Sequence, residues 1–374
     1  MIISNLNLTW PQVRRFRMAR SGLITPFAGA EDAAAALVGV QAQILPAAGL
    51  ALWNRTRGLT NAGFERALFG ERTLVKLWGQ RGTLHLYASR DWPLIQAART
   101  INRTWWERQA EDANSSLQDY RHQVEVVSEI LRQRETMGRR DLRALDMNLP
   151  EELYSPWGGI FADLVRLGYA CHAGRDGEGR FAHRERWLPG LEWNPPDAHS
   201  ANTEIVRRYF AAFGPSTMAD LSYWRAALMT TLRACVASLD AEMAEVRVEG
   251  TPMLALAADL EELAALRDES DGLPVRLLYR FEPLLLGTRD RSWIVPSEFN
   301  NRVSRPAGHI EGILLFRGMA VATWRYDRKG KGIAISVSPF KALPRAVSNK
   351  LPKLAQGVAD FFAAPLTDLT VTTV

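Results

Sequence analysis

The sequence predicts an α+β chain, mainly α, built from three tandem winged-helix units followed by a C-terminal β-rich part. The order helix, helix, helix, β-hairpin recurs three times, although no repeat of the sequence itself is visible. A proline-rich break at 193–197 separates the second repeat from the third, and from Pro274 onward the composition favours strands. The predicted domains are therefore 1–118, 119–198, 199–273 and 274–374.

The composition is that of a globular protein with enough apolar residues for several cores. The chain has 374 residues, of which 47% are hydrophobic. It contains no apolar run of about 18 residues, and residues 1–10 lack the features of a signal peptide, so we expect a cytoplasmic protein. Cys171 and Cys235 are far apart and have no CxxC or His-Cys company. We expect buried free thiols, no metal site and no cofactor.

The basic residues are mostly arginine. The net charge is +5, and only six of the 46 basic residues are lysines. The planar guanidinium group suits phosphates, which is consistent with a nucleic-acid partner. A GC-rich coding bias also replaces lysine by arginine, so the composition alone does not establish this partner.

The first predicted unit begins with a helix that Thr9 can cap and that Ser21 and Gly22 end. Its predicted helices cover 11–20, 31–37 and 61–69, with an apolar segment at 47–56. Residues 73–87 form two β-rich arms around a turn at 80–82, which makes this hairpin a candidate wing. A long aromatic-rich helix from Ser89 through Trp105 and Trp106 is predicted to connect this unit to the next.

The same order of elements continues to the C-terminal part. The second unit is predicted to have helices at 122–134, 138–145 and 157–167 and strands at 168–173 and 180–183, around a Gly-rich tip at 174–179. The third is predicted to have helices at 203–213, 218–221 and 222–233 and strands at 244–250 and 251–256. The last part is predicted to have a hairpin at 312–325, a strand at 333–338 and a helix at 344–362 whose apolar residues recur at helical spacing.

Two glutamines follow the Ala-rich helix of the first unit. Pro46 prevents that helix from continuing, so Gln41 and Gln43 lie at its exit or in the turn beyond it. Residues two apart share one side of an extended segment but not of a helix. If the helix has ended by Val40, both amides can point into one cleft and hold a water molecule. A Gln-x-Gln tripeptide taken alone is more often structural or solvent-facing.

Four stretches give the chain, nearly end to end, a resemblance to a known family. They are 39–43, 78–85, 213–224 and 277–291, the last with 322–325 downstream. In this order the chain resembles the AlkZ-type winged-helix DNA glycosylases, which remove bulky N7-alkylated purines and can unhook interstrand crosslinks. The resemblance implies a C-shaped chain with a basic concave face bent around duplex DNA. It also implies a monomer that associates with the nucleoid when it is bound to DNA carrying an alkylated purine.

The family's catalytic signature is Gln, a small or apolar residue, then Gln, and it maps onto Gln41, Ala42 and Gln43. A related branch has Asp in place of the second Gln. This sequence resembles the Gln-Gln branch, which is associated with narrower substrates and sometimes with self-resistance to a DNA-alkylating natural product.

The chemistry is consistent with the absence of a carboxylate from this signature. An N7-alkylated purine is already cationic, so its departure from C1′ requires no protonation, and two amides can place a water and stabilise the sugar centre. The lysine nearest to the motif is Lys76, so we expect a monofunctional glycosylase without a Schiff-base lyase step.

Basic residues at predicted turns and tips are the candidates for DNA contacts. They are Arg81, His85, Arg139, Arg140, Arg328, Lys329 and Lys331. Arg81, at a hairpin turn, can reach a phosphate or the lesion, and it is equally an ordinary exposed turn arginine. A lone histidine in an apolar strand, such as His85, is more often a core residue. Many tips like the one at 325–332 are only solvated turns.

The rival interpretation is a winged-helix transcriptional regulator without catalysis. Such regulators usually carry one winged helix together with a dimerisation helix or a sensor domain, whereas three such units in one chain favour a monomer that wraps DNA. A non-catalytic lesion binder is a third interpretation, since it would keep the basic face and lose turnover.

Overall fold

The computed structural model describes residues 1–98, 117–147, 149–155, 158–175 and 179–372, and the fold is a mixture of helices and sheets. The chain divides into two compact units. The first consists of Met1–Glu65 and Thr203–Val374, and the second of Arg66–Asn202. Within the described ranges, no helix is long and apolar enough to cross a membrane.

The helices and strands are numbered in chain order. The helices are α1 Trp10–Arg20, α2 Ala30–Ala36, α3 Leu45–Trp53, α4 Asn61–Glu65, α5 Trp92–Ala97, α6 Leu117–Arg132, α7 Arg139–Arg143, α8 Ile160–Arg166, α9 Arg184–Trp187, α10 Ala198–Phe213, α11 Met218–Arg225, α12 Met229–Ser238, α13 Leu260–Ala265, α14 Pro283–Leu286, α15 Asn300–Val303 and α16 Arg345–Phe361. The strands are β1 Ile2–Leu8, β2 Val40–Gln41, β3 Leu74–Trp78, β4 Leu84–Ala88, β5 Met137–Gly138, β6 Ala170–His172, β7 Arg180–His183, β8 Met243–Val248, β9 Thr251–Leu256, β10 Arg276–Leu278, β11 Gly312–Phe316, β12 Met319–Lys329, β13 Gly332–Pro339 and β14 Leu366–Val371.

The first unit contains a three-stranded sheet in the order β1-β8-β9. The antiparallel β8–β9 hairpin was predicted from the sequence, but β1, which pairs with β8 in parallel, was not. Leu8, Val13 and Phe16 pack against Val246 and Val248 in one buried cluster, so α1 covers this sheet. The N-terminal strand thus joins the start of the chain to residues more than two hundred positions away.

The C-terminal sheet of the same unit has five strands in the order β10-β11-β12-β13-β14. Its core contains Leu314 and Trp324 from the sheet, Ala47 and Leu50 from α3, and Leu351 from α16. Burial of this apolar face of the sheet against two helices stabilises the arrangement by about 25 cal/mol per Å² of surface removed from water. Because α3 begins two residues after Gln43, this core fixes the chain directly downstream of the glutamines.

The second unit contains two predicted hairpins. One is β3–β4, the candidate wing of the first predicted unit, and the other is β6–β7, the hairpin of the second predicted unit. They form one sheet in which β4, β3, β6, β7 and β5 follow one another, and Lys76 on β3 lies opposite His172 on β6. Its core gathers Val75 and Tyr87 from the sheet with Val127 from α6 and Leu164 from α8.

Most predicted elements are confirmed to within a few residues, and one pair is wrong. The predicted helices at 218–221 and 222–233 are instead α11, Met218–Arg225, and α12, Met229–Ser238. Leu221 and Trp224 are both buried on this one helix, so it continues past residue 221. It ends just before Ala226, whose φ of 52° is left-handed. The strand β14, parallel to β13, was also missed.

Several predictions have no test in this structure. Trp105 and Trp106 of the connector helix, Trp157, and positions 176–178 of the second tip lie outside the described residues. The four domain boundaries, the winged-helix character of the units and the C shape also stay predictions.

Candidate active site

The segment that carries the two glutamines begins with a sharp end to α2. The backbone amides of Val38 and Gly39 donate to the carbonyls of Ala35 and Ala34, which closes the helix as a left-handed cap. Val38 has φ 53° and Gly39 has φ 96°. A β-branched residue in the left-handed region is a real outlier, and such strain is often found at functional sites. The chain leaves the helix at this turn, and Val40 begins strand β2.

Gln41 and Gln43 then lie side by side, as predicted for an extended segment. Gln41 ends the two-residue strand β2, and its Nε2 donates to Oε1 of Gln43 at 2.7 Å. Gln41 is only 6% exposed, whereas Gln43 is exposed. The buried amide therefore orients the exposed one and leaves the Gln43 amide group at the surface of this unit.

The glutamine segment ends where α3 begins. Ile44 is the extended residue before α3, and Pro46 lies in the first turn of that helix, where a proline has no backbone hydrogen bond to lose. The prediction that Pro46 ends α2 is wrong, because α2 already ends at Ala36 through the cap at Val38 and Gly39, and Pro46 instead lies in the first turn of α3.

A buried ion pair anchors the other end of α3. Arg55 directs its guanidinium group at the Glu282 carboxylate, and both side chains are fully buried. The Asn54 amide donates to the carbonyls of Leu50 and Leu277 at 3.1 and 3.0 Å. These contacts attach α3 to residues 277–286. This stretch contributes to the family resemblance, but no role was predicted for it.

This arrangement can position a water without transferring a proton. Neither amide titrates, so the site offers fixed dipoles, with N–H donors and a carbonyl oxygen that accepts. Fixed dipoles in a site that need not reorganise stabilise developing charge effectively.

The predicted DNA-contact residues of the first unit cluster at one turn. Arg328, Lys329 and Lys331 are exposed where β12 turns into β13, and the Arg328 guanidinium carbon lies 5.0 Å from the centre of the Phe362 ring. Their contact with DNA stays a prediction.

The second unit holds the other four predicted contacts. Arg81 has φ 55° in the short helical turn between β3 and β4. His85 is only 4% exposed, its Nδ1 lies 3.0 Å from the Thr83 carbonyl oxygen and therefore donates, and its ring stacks on Tyr87. That is the environment of a core histidine. Arg139 and Arg140 are exposed at the start of α7.

Both cysteines are buried free thiols, as predicted. Burial raises the pKa of the Cys171 thiol well above its usual range, which keeps it protonated and unreactive.

A family model described as DNA glycosylase AlkZ-like matches residues 34–361, a span that contains both glutamines and the Arg55–Glu282 pair. The chain belongs to this family. An interstrand DNA cross-link repair glycosylase of Streptomyces sahachiroi is 27% identical over 370 residues, which cover 95% of this chain and 96% of that relative.

A solved structure gives the same result for the fold. The DNA glycosylase AlkZ of Streptomyces sahachiroi superimposes with a TM-score of 0.83 at 25% identity, covering 98% of this chain and all of that one. The protein is accordingly a DNA glycosylase with DNA as its substrate, and the transcriptional-regulator interpretation loses its support.

Proposed function

We propose that this glycosylase hydrolyses the N-glycosidic bond of bulky N7-alkylated purines in duplex DNA, with Gln41 and Gln43 as its catalytic residues. The observation that carries the proposal is the hydrogen bond between a buried and an exposed primary amide at 2.7 Å. A buried amide needs a hydrogen-bond partner in any case, so the proposal depends on what this partner is: the bond fixes the exposed Gln43 amide, which is then oriented to hold a water.

The reaction is balanced without a general acid. Alkylation at N7 gives the purine a positive charge, and cleavage of the bond to C1′ lets the base leave as a neutral molecule. The sugar carries the positive charge in the transition state, where the amide oxygens stabilise it. Water adds its oxygen to C1′ and releases one proton to solvent, which leaves an abasic site. No covalent enzyme intermediate forms, so the enzyme is monofunctional.

Crosslinks form a second part of the proposal. The Streptomyces sahachiroi relative bears the name of an interstrand DNA cross-link repair glycosylase. We infer that this chain also unhooks crosslinks joined through N7 of a purine, in DNA repair or in self-resistance to an alkylating natural product. We further propose that it acts as a cytoplasmic monomer on the nucleoid.

The test is excision from three matched duplexes. One carries N7-methylguanine, one a bulky N7-alkylguanine and one an N7-linked interstrand crosslink, with undamaged duplex as the control. Alkali reveals abasic sites as strand breaks, and denaturing gels reveal unhooking. We expect faster release of the bulky adduct than of the methylated base, together with separation of the crosslinked strands. Equal or faster release of N7-methylguanine would contradict the bulky specificity, and intact crosslinks would contradict the second part.

A further inference from the structure

A group of three arginines surrounds one carboxylate in the C-terminal sheet. Glu311 immediately precedes β11, and Arg325 on the neighbouring strand β12 holds it with two hydrogen bonds, from Nε at 3.1 Å and from a terminal nitrogen at 2.5 Å. The nearest nitrogens of Arg280 and Arg305 lie 3.6 and 3.7 Å from the carboxylate oxygens. We call these four residues the Glu311 cluster.

The carboxylate of this cluster is buried and its arginines reach the surface. The Glu311 side chain is 8% exposed, while those of Arg280, Arg305 and Arg325 are 27%, 48% and 52% exposed. Burial acts to raise the pKa of Glu311, but the arginines outweigh it and hold that pKa below its usual value. Glu311 is therefore a buried, ionised carboxylate that holds three partly exposed guanidinium groups.

Two other ion-pair groups in the described part of the first unit lack this excess of positive charge. Arg20 faces two carboxylates, those of Asp259 and Glu262, and Arg317 pairs with Asp271 alone. In the Glu311 cluster three positive charges meet one negative charge. Asp327, two residues beyond Arg325, is exposed and lowers the local excess without cancelling it.

Much of the donor capacity of the cluster is unused. A guanidinium group has five N–H donors in a fixed fork. Arg325 uses two of its own on Glu311, whereas the structure gives the Arg280 and Arg305 side chains ion-pair contacts with Glu311 and no hydrogen bond within the described ranges. The Nε atom of Arg280 is buried, so the donors that can reach a phosphate are those of the more exposed Arg305 and Arg325 side chains. Such forks match the tetrahedral oxygens of a phosphate group.

We propose that the Glu311 cluster binds the phosphodiester backbone of DNA, with Arg305 and Arg325 as its direct phosphate contacts. Glu311 is a positioning residue that holds the forks in place before DNA arrives. The site is separate from the turn of Arg328 and Lys329. Arg325 pairs with Ser336, away from the turn at which Lys329 pairs with Gly332. The inference rests on the DNA-glycosylase assignment and not on the catalytic roles proposed for the glutamines.

The test is the salt dependence of binding to an undamaged, fluorescently labelled duplex. Each phosphate contact that is lost reduces the slope of log binding constant against log salt concentration by about 1. We expect this reduction for Arg305→Gln and for Arg325→Gln, and a reduction of about 2 for the double variant. Arg325→Lys keeps the charge and is expected to keep most of the slope.

Arg317→Gln is the matched control. It removes one arginine from the opposite end of the β11–β12 hairpin, at a residue that is 58% exposed. The inference is overturned if Arg305→Gln and Arg325→Gln both retain the wild-type slope, or if Arg317→Gln lowers it equally. Arg305 makes no hydrogen bond through its side chain in the described structure, so its variant is expected to fold even if Arg325→Gln is destabilised. Because undamaged DNA is used, failure here leaves the catalytic proposal intact.

Discussion

Replacement of Glu282 by glutamine is expected to destabilise the first unit strongly. The variant keeps the shape of the side chain and removes its charge, which leaves the Arg55 guanidinium group buried without a counter-charge. Both side chains are 0% exposed, and Glu282 also accepts from the backbone amide of Leu284 at 3.2 Å. Breaking a buried pair of this kind costs about 3–5 kcal/mol, a large share of the total stability of a domain.

The assay is thermal and denaturant unfolding of the purified full chain. For a unit of this size the loss corresponds to a fall in the midpoint temperature of about 6–20 °C. Arg55→Met/Glu282→Leu removes both charges together and is expected to be more stable than Glu282→Gln alone. Asp271→Asn, which breaks an exposed pair with Arg317, serves as the control and is expected to leave the midpoint unchanged. A Glu282→Gln midpoint equal to that of wild type would refute the reasoning.

Three further outcomes are expected. Gly39→Ala places a side chain at φ 96°, so it is expected to cost about 1–3 kcal/mol in unfolding experiments and to slow excision. Gly272→Ala, at a positive-φ turn outside the glutamine segment and the Glu311 cluster, is the control and is expected to leave excision unchanged. Burial, and to a smaller extent the charge of Lys76, lowers the pKa of His172 to about 3. The unfolded chain takes up this proton below about pH 6.5, whereas the folded chain takes it up only near pH 3. Stability is therefore expected to fall by about 1.4 kcal/mol per pH unit between these two values, and His172→Phe is expected to remove this part of the pH dependence in urea titrations at pH 7 and pH 5. Borohydride added during excision is expected to trap no covalent enzyme–DNA complex, and a trapped complex would contradict the monofunctional mechanism.

The sequence predicted the local elements well because their signals are local. Apolar spacing located α16, and Thr9 and Ser21 marked the ends of α1 to within one residue. The parallel strands β1 and β14 were not predicted. β1 pairs with β8, which is distant in sequence, and β14 pairs with β13 across the intervening helix α16. Nothing within residues 2–8 indicates that they will pair with β8.

The same distinction holds for the candidate site. The sequence predicted that Gln41 and Gln43 share one side of the chain if the helix has ended by Val40. The end of α2 at Ala36 and the hydrogen bond between the two amides confirm it. The fully buried Arg55–Glu282 pair joins residues 227 positions apart, so no spacing rule could identify it. The burial of one glutamine and the exposure of the other likewise follow from tertiary packing.

The catalytic role of the glutamine pair is the central claim, and single-turnover excision tests it most directly. The substrate is a duplex with one bulky N7-alkylguanine, and the variants are Gln41→Ala, Gln43→Ala and the double variant. Gln356→Ala, which removes an exposed glutamine from α16, is the matched control.

Loss of one preorganised dipole is expected to slow base release by about 10²–10³-fold. We expect the double variant to be little slower than the single ones, because the two amides act as a unit, while its binding to the duplex is retained. Wild-type excision rates in all three variants, with the control equally active, would contradict the claim.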